Sequence, residues 1–231
     1  MIVLVDFGSQ TCHLIGRRLR DHGILVKIIQ PEDAISEIKK NKPKGIILSG
    51  GPASVYADGA PTVDKKIFAL GIPILGICYG WQLTAHLLGG KVVSSHKEYG
   101  PANLTIINEN NLLNGVENNS TVWVSHGDTV ITIPKNFIYL GKTENVKAAA
   151  VADLKDKIFG LQFHPEVDHT VFGIEILINF AQNICGEKIS KQPINIDKII
   201  ESIKQKVGNS KVICAVSGGV DSTVAAALIG K

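Results

Sequence analysis

The chain has 231 residues, 45% of them hydrophobic and 19% charged, with a formal net charge of +3. That is apolar material for one large core and part of a second, ordinary for an α/β protein. Lysine and arginine form no continuous basic run, so a nucleic-acid partner is not expected, and no apolar stretch reaches the roughly 18 residues needed to span a bilayer.

Met1-Ile-Val-Leu-Val-Asp6 has no basic region or cleavage site ahead of its apolar run and reads as a first strand, not a signal peptide. Buried strands are expected at Ile2–Val5, Ile24–Ile28, Gly45–Leu48 and Ile74–Ile77, with helices at 11–21, 33–40, 63–70 and 80–88. Such alternation predicts a parallel sheet covered on both faces. From 91 to 163 the rhythm changes to short strand-like runs: Leu104–Ile107, Val122–Val124, Val130–Ile133, Ile138–Leu140, Ala148–Val151 and Ile158–Phe163. These predict hairpins or meanders added to the sheet. An apolar stripe of Val171, Phe172, Ile174, Leu177, Ile178 and Ala181 predicts a helix over 171–184. One domain is therefore expected over 1–185, a polar linker over 186–195, and a new unit over 196–231. That last unit reads as a helix at 196–206, a strand at Val212–Val216, the loop 217–222 and a further helix, too little for a sheet or core of its own. Cys12, Cys78, Cys185 and Cys214 show neither metal-ligand spacing nor a disulfide framework. Free thiols and a cytoplasmic location are the expectation.

Cys78 carries the sharpest signal. In Pro-Ile-Leu-Gly-Ile-Cys-Tyr-Gly-Trp-Gln-Leu (73–83) an apolar run ends in a small-residue turn and an amphipathic stretch follows. This is a nucleophile-elbow pattern with sulfur in place of the serine oxygen. Gly76 and Gly80 flank the thiol because a sharp strand-to-helix turn leaves no room for side chains, and the helix N-terminus favours a thiolate. A cysteine nucleophile needs a base, and the base an orienting group. Phe163-His164-Pro165-Glu166, at the end of the Ile158–Phe163 run, offers both. The developing oxyanion needs donors; the amide of Tyr79, first in the helix, and that of Gly51, in the stiff Ser49-Gly-Gly-Pro52 loop, are the candidates.

These phrases converge on a family. Gly76-Ile-Cys-Tyr-Gly-Trp-Gln82 with Gln162-Phe-His-Pro-Glu-Val167 resembles the class I (triad) glutamine amidotransferases. Asp6-Phe-Gly-Ser-Gln10, Ser49-Gly-Gly-Pro-Ala-Ser-Val-Tyr56, Glu98-Tyr-Gly100 and Trp123-Val-Ser-His-Gly-Asp128 narrow the resemblance to the amidotransferase domain of the glutamine-hydrolysing GMP synthetase family, over residues 1 to about 185. The resemblance implies a flavodoxin-like, mostly parallel sheet with added antiparallel strands. It implies a Cys78–His164–Glu166 triad that hydrolyses glutamine through a thioester, with Gly51 and Tyr79 as oxyanion donors. Gln82, Ser125, His126, Gly127 and Asp128 would bind the glutamine α-amino and α-carboxylate groups, the Asp128 carboxylate meeting the ammonium in a charge-assisted contact. Two departures stand out: Thr11-Cys12-His13 where the family usually continues Tyr-Thr-Gln, and Trp81 for a usual Met. Both are expected near the glutamine pocket or a domain interface.

Ser217-Gly218-Gly219-Val220-Asp221-Ser222 follows an apolar run and opens a helix, so its amides can approach an anion. It lacks the Gly-Lys-Ser/Thr of a Walker loop and resembles the pyrophosphate-holding loop of the N-type ATP pyrophosphatases. The resemblance therefore implies ATP and Mg2+, with XMP as ammonia acceptor, for a synthetase half that these residues only begin. It also implies a homodimer of the full-length protein, and no cofactor or metal for glutamine hydrolysis. Two other readings are open: a non-catalytic glutamine-sensing module docking on a synthetase, and a cysteine hydrolase of other γ-glutamyl compounds.

Overall fold

The computed structural model describes residues 1–95, 97–189 and 196–231, Lys198 by its backbone alone. It divides into two compact units, Met1–Ser190 and Lys191–Lys231.

In the first unit, β1 (Ile2–Val5), β2 (Val26–Ile29), β3 (Gly45–Leu48) and β4 (Ile74–Ile77) are parallel, and β11 (Ile158–Leu161) joins them beside β4, also parallel. The apolar four-residue runs of β1, β3, β4 and β11 are buried throughout because the sheet is covered on both faces. Ile2 and Leu4 enter one core with Ile15 and Leu19 of α1 (Cys12–Asp21). Val3 and Val5 enter the other with Ile38 of α2 (Ala34–Asn41) and Leu83 of α3 (Tyr79–Leu87). The split follows directly from the two-residue alternation of a strand.

Beyond β11 the sheet turns antiparallel through β10 (Ala150–Asp153), β9 (Ile138–Lys142), β6 (Glu98–Ile106) and β7 (Ser120–His126), nine strands in the order β2-β1-β3-β4-β11-β10-β9-β6-β7. Of the runs expected over 91–163 as added hairpins or meanders, those in β6, β7, β9 and β10 extend the one sheet. Ile158–Phe163 instead supplies β11 of the parallel part, because it pairs in register with β4, and Val130–Ile133 falls in β8 (Thr129–Thr132), outside the sheet. A separate ribbon pairs β5 (Lys91–Val93), which the sequence pattern does not announce, with β8. The run expected at Leu104–Ile107 is the end of the longer β6. Pro101 lies inside it without breaking it, because β6 meets β9 only at Thr105 and Ile106 and one side of Pro101 needs no ladder bond.

The helix expected over 63–70 is a short 3-10 turn, Lys65–Ala69, opened by Asp64 accepting from the Lys66 amide at 2.9 Å. Gly71, at φ +68°, and Pro73 stop it from growing. The helix expected over 171–184 begins at Gly173 as α4 (Gly173–Asn179) and ends in a π turn, Phe180–Ile184, with Cys185 N–H on the Phe180 carbonyl at 3.0 Å.

The second unit consists of α5 (Ile196–Val207), α6 (Val220–Ile229) and the segment between them. The expected strand Val212–Val216 does not form. No described strand pairs with it, and an isolated strand leaves its amides and carbonyls to water, as the 98% exposure of Ile213 reflects. Residues 190–195, most of the expected linker, lie outside the described residues. Among the described residues, no helix is long and apolar enough to cross a membrane.

Candidate active site

The carboxyl ends of β1, β3, β4 and β11 face one side of the sheet, where open α/β folds place ligands. Cys78 ends β4 with φ 49° and ψ −106°, a conformation costing a non-glycine residue about 1–3 kcal/mol. Three backbone hydrogen bonds hold the elbow: Cys78 N–H to Leu161 O at 2.7 Å, Gly80 N–H to Ser49 O at 3.0 Å, and Gln82 N–H to Cys78 O at 3.0 Å. The flanking glycines are required by close approach. A Cβ on Gly76 would lie 2.7 Å from the Gly80 backbone, and one on Gly80 would lie 2.2 Å from Leu48 O.

His164 follows β11. Its amide donates to Trp123 O at 2.9 Å, and its carbonyl accepts from the Thr170 hydroxyl at 2.6 Å. Ring Nδ1 lies 2.8 Å from Glu166 Oε1, and the Glu166 residue is 1% exposed. With Nδ1 on the carboxylate, Nε2 is the nitrogen left for Cys78. Burial alone would lower the His164 pKa. The hydrogen bonds with Cys78 and Glu166 outweigh it and hold the ring at about 10. Both contacts favour the protonated ring. A Cβ on Gly50 would lie 3.2 Å from His164 Cε1 and 3.8 Å from Cys78 Cβ, so both side chains crowd the β3 turn.

Gly51 sits in that turn, its Cα facing the Tyr79 ring and Phe7 O. Cys78, His164, Gly51, Gln82, Ser125, Gly127 and Asp128 line one cavity of about 550 Å3. Gln82 donates through Nε2 to Asp128 O at 2.8 Å, tying residues 125–128 to α3. The Tyr56 hydroxyl donates to Asp128 Oδ1 at 2.9 Å, and Cys78 Sγ lies 3.7 Å from Ser125 O. A larger groove of about 1050 Å3 runs along β6 and β9, but it contains neither the thiol nor the imidazole.

His126 differs from its neighbours. Its side chain is 1% exposed and lies against Glu98, with Nε2 to Oε2 at 3.4 Å. Burial pushes its pKa below the ordinary value against the pull of Glu98, and the Glu98 carboxylate also accepts from Thr143 and Asn145. The imidazole is thus buried against Glu98, while residue 126 still lines the cavity. Trp81 also departs from expectation. It is fully buried, tilted against Phe137 and packed over Gly160, so it belongs to the core and not to the pocket.

Several contacts escape sequence reasoning. Gln162 Nε2 lies 3.8 Å from Cys78 Sγ, in the bend that follows β11 and two residues before His164. Thr11 Oγ1 donates to Glu166 Oε1 at 2.6 Å and Arg18 Nε to Glu166 O at 3.2 Å. These span about 150 residues of chain, and no local pattern announces them. Ser217–Ser222 lies in the second unit at the start of α6. Gly218 is at φ +83°, and the Ser222 hydroxyl accepts from the Ser217 amide at 3.2 Å.

A family model described as glutamine amidotransferase class-I matches residues 3–184. A GMP synthase (glutamine-hydrolyzing) of Aquifex aeolicus is 53% identical over 229 residues, covering 98% of this chain and 45% of that protein. The Staphylococcus epidermidis protein of the same name is 48% identical over 235 residues, covering 100% and 45%. The chain thus spans less than half the length of these relatives. The crystal structure of a candidate GMP synthase subunit from Thermoplasma acidophilum superposes with TM-score 0.73 at 33% identity, over 80% of this chain and 93% of that one. A glutamine amidotransferase of Thermotoga maritima, 20% identical with TM-score 0.57 over 89% and 91%, shares the fold.

Proposed function

The chain belongs to the class I glutamine amidotransferases, and from that premise we propose that its first unit hydrolyses glutamine to glutamate and ammonia through a thioester on Cys78. The observation that carries the reading is the left-handed thiol of Cys78 sharing a cavity with an imidazole whose other nitrogen is held 2.8 Å from a buried carboxylate. The sulfur attacks the side-chain amide carbon of glutamine, and the C=O π electrons move onto oxygen. The Gly51 and Tyr79 amides donate to that oxyanion; among the described residues neither has another acceptor. As the tetrahedral intermediate collapses, the C–N bond breaks and His164 gives its proton to the departing ammonia. Water then attacks the thioester and passes a proton to His164, and collapse releases glutamate and restores the pair. Glu166 fixes the ring tautomer and supports its charge throughout. Asp128, oriented by Tyr56 and Gln82, receives the α-ammonium, and the backbone at Ser125, His126 and Gly127 receives the α-carboxylate.

We further propose, from the names of the relatives, that the ammonia serves ATP-dependent amination of XMP to GMP in a synthetase half of which residues 196–231 are the beginning. Ser217–Ser222 offers amide and hydroxyl donors at the start of a ten-residue helix, which suits the pyrophosphate of ATP. Mg2+ would arrive with the nucleotide; among the described residues no cluster of three or more His, Cys, Asp or Glu side chains could hold a metal ion. A cytoplasmic homodimer belongs to the same reading of the whole protein.

The test is glutamate release from glutamine by the chain and by Cys78→Ala, with labelling by a glutamine-analogue electrophile. Release and labelling that both vanish in the variant support the proposal. Equal rates in the two proteins, or a label on another residue, overturn it.

A further inference from the structure

Glu166 is held by more than the histidine it orients. Its Oε1 accepts from His164 Nδ1 at 2.8 Å and from the Thr11 hydroxyl at 2.6 Å, while Oε2 is buried with no hydrogen-bond partner among the described residues. A carboxylate has acceptor capacity on both oxygens, so loading two donors on one and leaving the other bare defines a single orientation. Thr11 is itself fixed. Its amide donates to Ser9 Oγ at 3.1 Å, and the two hydroxyl oxygens lie 2.8 Å apart. The Thr11 proton is committed to the carboxylate, which can only accept, so the Ser9 hydroxyl must be the donor to Thr11 Oγ1. The result is a chain from Ser9 to Thr11 to Glu166 Oε1, on which the His164 Nδ1–H converges as the second donor.

We infer that Thr11 is a positioning residue of the triad: its hydroxyl fixes Glu166 and sustains the carboxylate's charge, and so supports the imidazolium facing Cys78. The inference rests on the glutaminase reading for its effect on turnover, but not for its effect on the thiol. A buried carboxylate stripped of one of its two donors supports its charge less well. His164 then holds its proton less firmly, and the sulfur loses the cation that favours its anionic form.

Thr11→Val keeps the shape and removes the hydroxyl; Thr11→Ser keeps the hydroxyl and removes a methyl group. Both are made in the full chain with Cys214→Ser, which removes the exposed thiol. Two readouts are taken: steady-state glutamate release, and the rate of Cys78 alkylation by iodoacetamide at neutral pH, followed by peptide mass spectrometry. Thr11→Val is expected to lower kcat roughly tenfold with KM for glutamine little changed, the effect of one hydrogen bond to a charged group. Alkylation slows in parallel, and Thr11→Ser restores both. Alkylation in Thr11→Val as fast as in the parent overturns the inference. So does a Thr11→Ser variant as impaired as Thr11→Val, since that marks a packing role. A parent that releases no glutamate while its Cys78 alkylation still depends on the Thr11 hydroxyl defeats the glutaminase reading and leaves this inference standing.

Discussion

Gly80→Ala puts the elbow under a test in which two effects have opposite signs. In a helix, alanine replacing glycine ordinarily stabilises by up to about 1 kcal/mol. Here the new Cβ would lie 2.2 Å from Leu48 O and 2.7 Å from Leu48 C. Those are backbone atoms in the middle of the sheet and cannot rotate away, so α3 must move from β3 by something on the order of 1 Å. Overpacking of this kind costs about 1–3 kcal/mol. The same shift lengthens the Gly80 N–H to Ser49 O bond, now 3.0 Å, worth about 1 kcal/mol. The net expectation is a loss of about 2 kcal/mol. Ser49 leads into Gly51, and Gly80 stands two residues from Cys78, so the movement separates the proposed oxyanion donors from the sulfur. A misplacement of about 1 Å can lower a rate by about a hundredfold. Urea unfolding and Cys78 labelling by a glutamine analogue read the two consequences. Gly127→Ala, where a Cβ meets only the Tyr99 hydroxyl at 3.5 Å, is the stability control and should unfold near the parent midpoint. A Gly80→Ala variant as stable as the parent or more so, with unchanged labelling, would refute the reasoning.

Two further outcomes follow from the electrostatics. In an NMR titration of labelled histidines, His164 should keep its ring proton up to about pH 10, because its bonds to Cys78 and Glu166 outweigh burial, whereas His126, neutralised by burial, should titrate below its ordinary 6.5; a His164 midpoint at or below 6.5 contradicts the first. With iodoacetamide at mildly alkaline pH, Cys12 and Cys185 should stay unmodified until the chain is unfolded, because burial, aided by Asp6 and Glu187 respectively, pushes both thiols up to about 12. Modification of Cys12 as fast as that of exposed Cys214 would show that this part of the fold opens.

What could be read from the amino-acid order, and what could not, divides by the range of the interaction. The inner parallel strands β1, β3 and β4 were written in four-residue apolar runs buried throughout, which need no partner to be recognised. In contrast, β2, half-buried with Lys27 inside it, is shifted from the expected Ile24–Ile28, and β11 read as one more added strand, because only its pairing with β4 sets it apart. The elbow was equally local, since Gly76 and Gly80 are dictated by the turn they flank. The interior of β6 was obscured by Gly100-Pro101, tolerated because that stretch of strand has only one neighbour. Val212–Val216 failed in the opposite way: its residues have strand preferences, but a strand is a pairing, and no described strand pairs with it. At the site, phrases such as Phe163-His164-Pro165-Glu166 brought the titratable groups into view, while the contacts that support them did not appear, although Tyr56 and Gln162 stand in phrases of the same kind. Thr11, Tyr56 and Gln162 act across 155, 72 and 84 residues, and only the fold brings them near. His126 shows the limit of composition: a polar residue in a binding phrase whose side chain faces a buried carboxylate on the neighbouring strand.

The central claim is that the Cys78 sulfur takes the γ-glutamyl group from glutamine with the His164–Glu166 pair behind it. Rapid acid quenching during turnover, followed by peptide mass spectrometry, tests it directly. The account predicts a γ-glutamyl group on the Cys78 peptide of the parent chain, absent from Cys78→Ala. Glutamate formed without that adduct, or an adduct on Cys214 in its place, would contradict it.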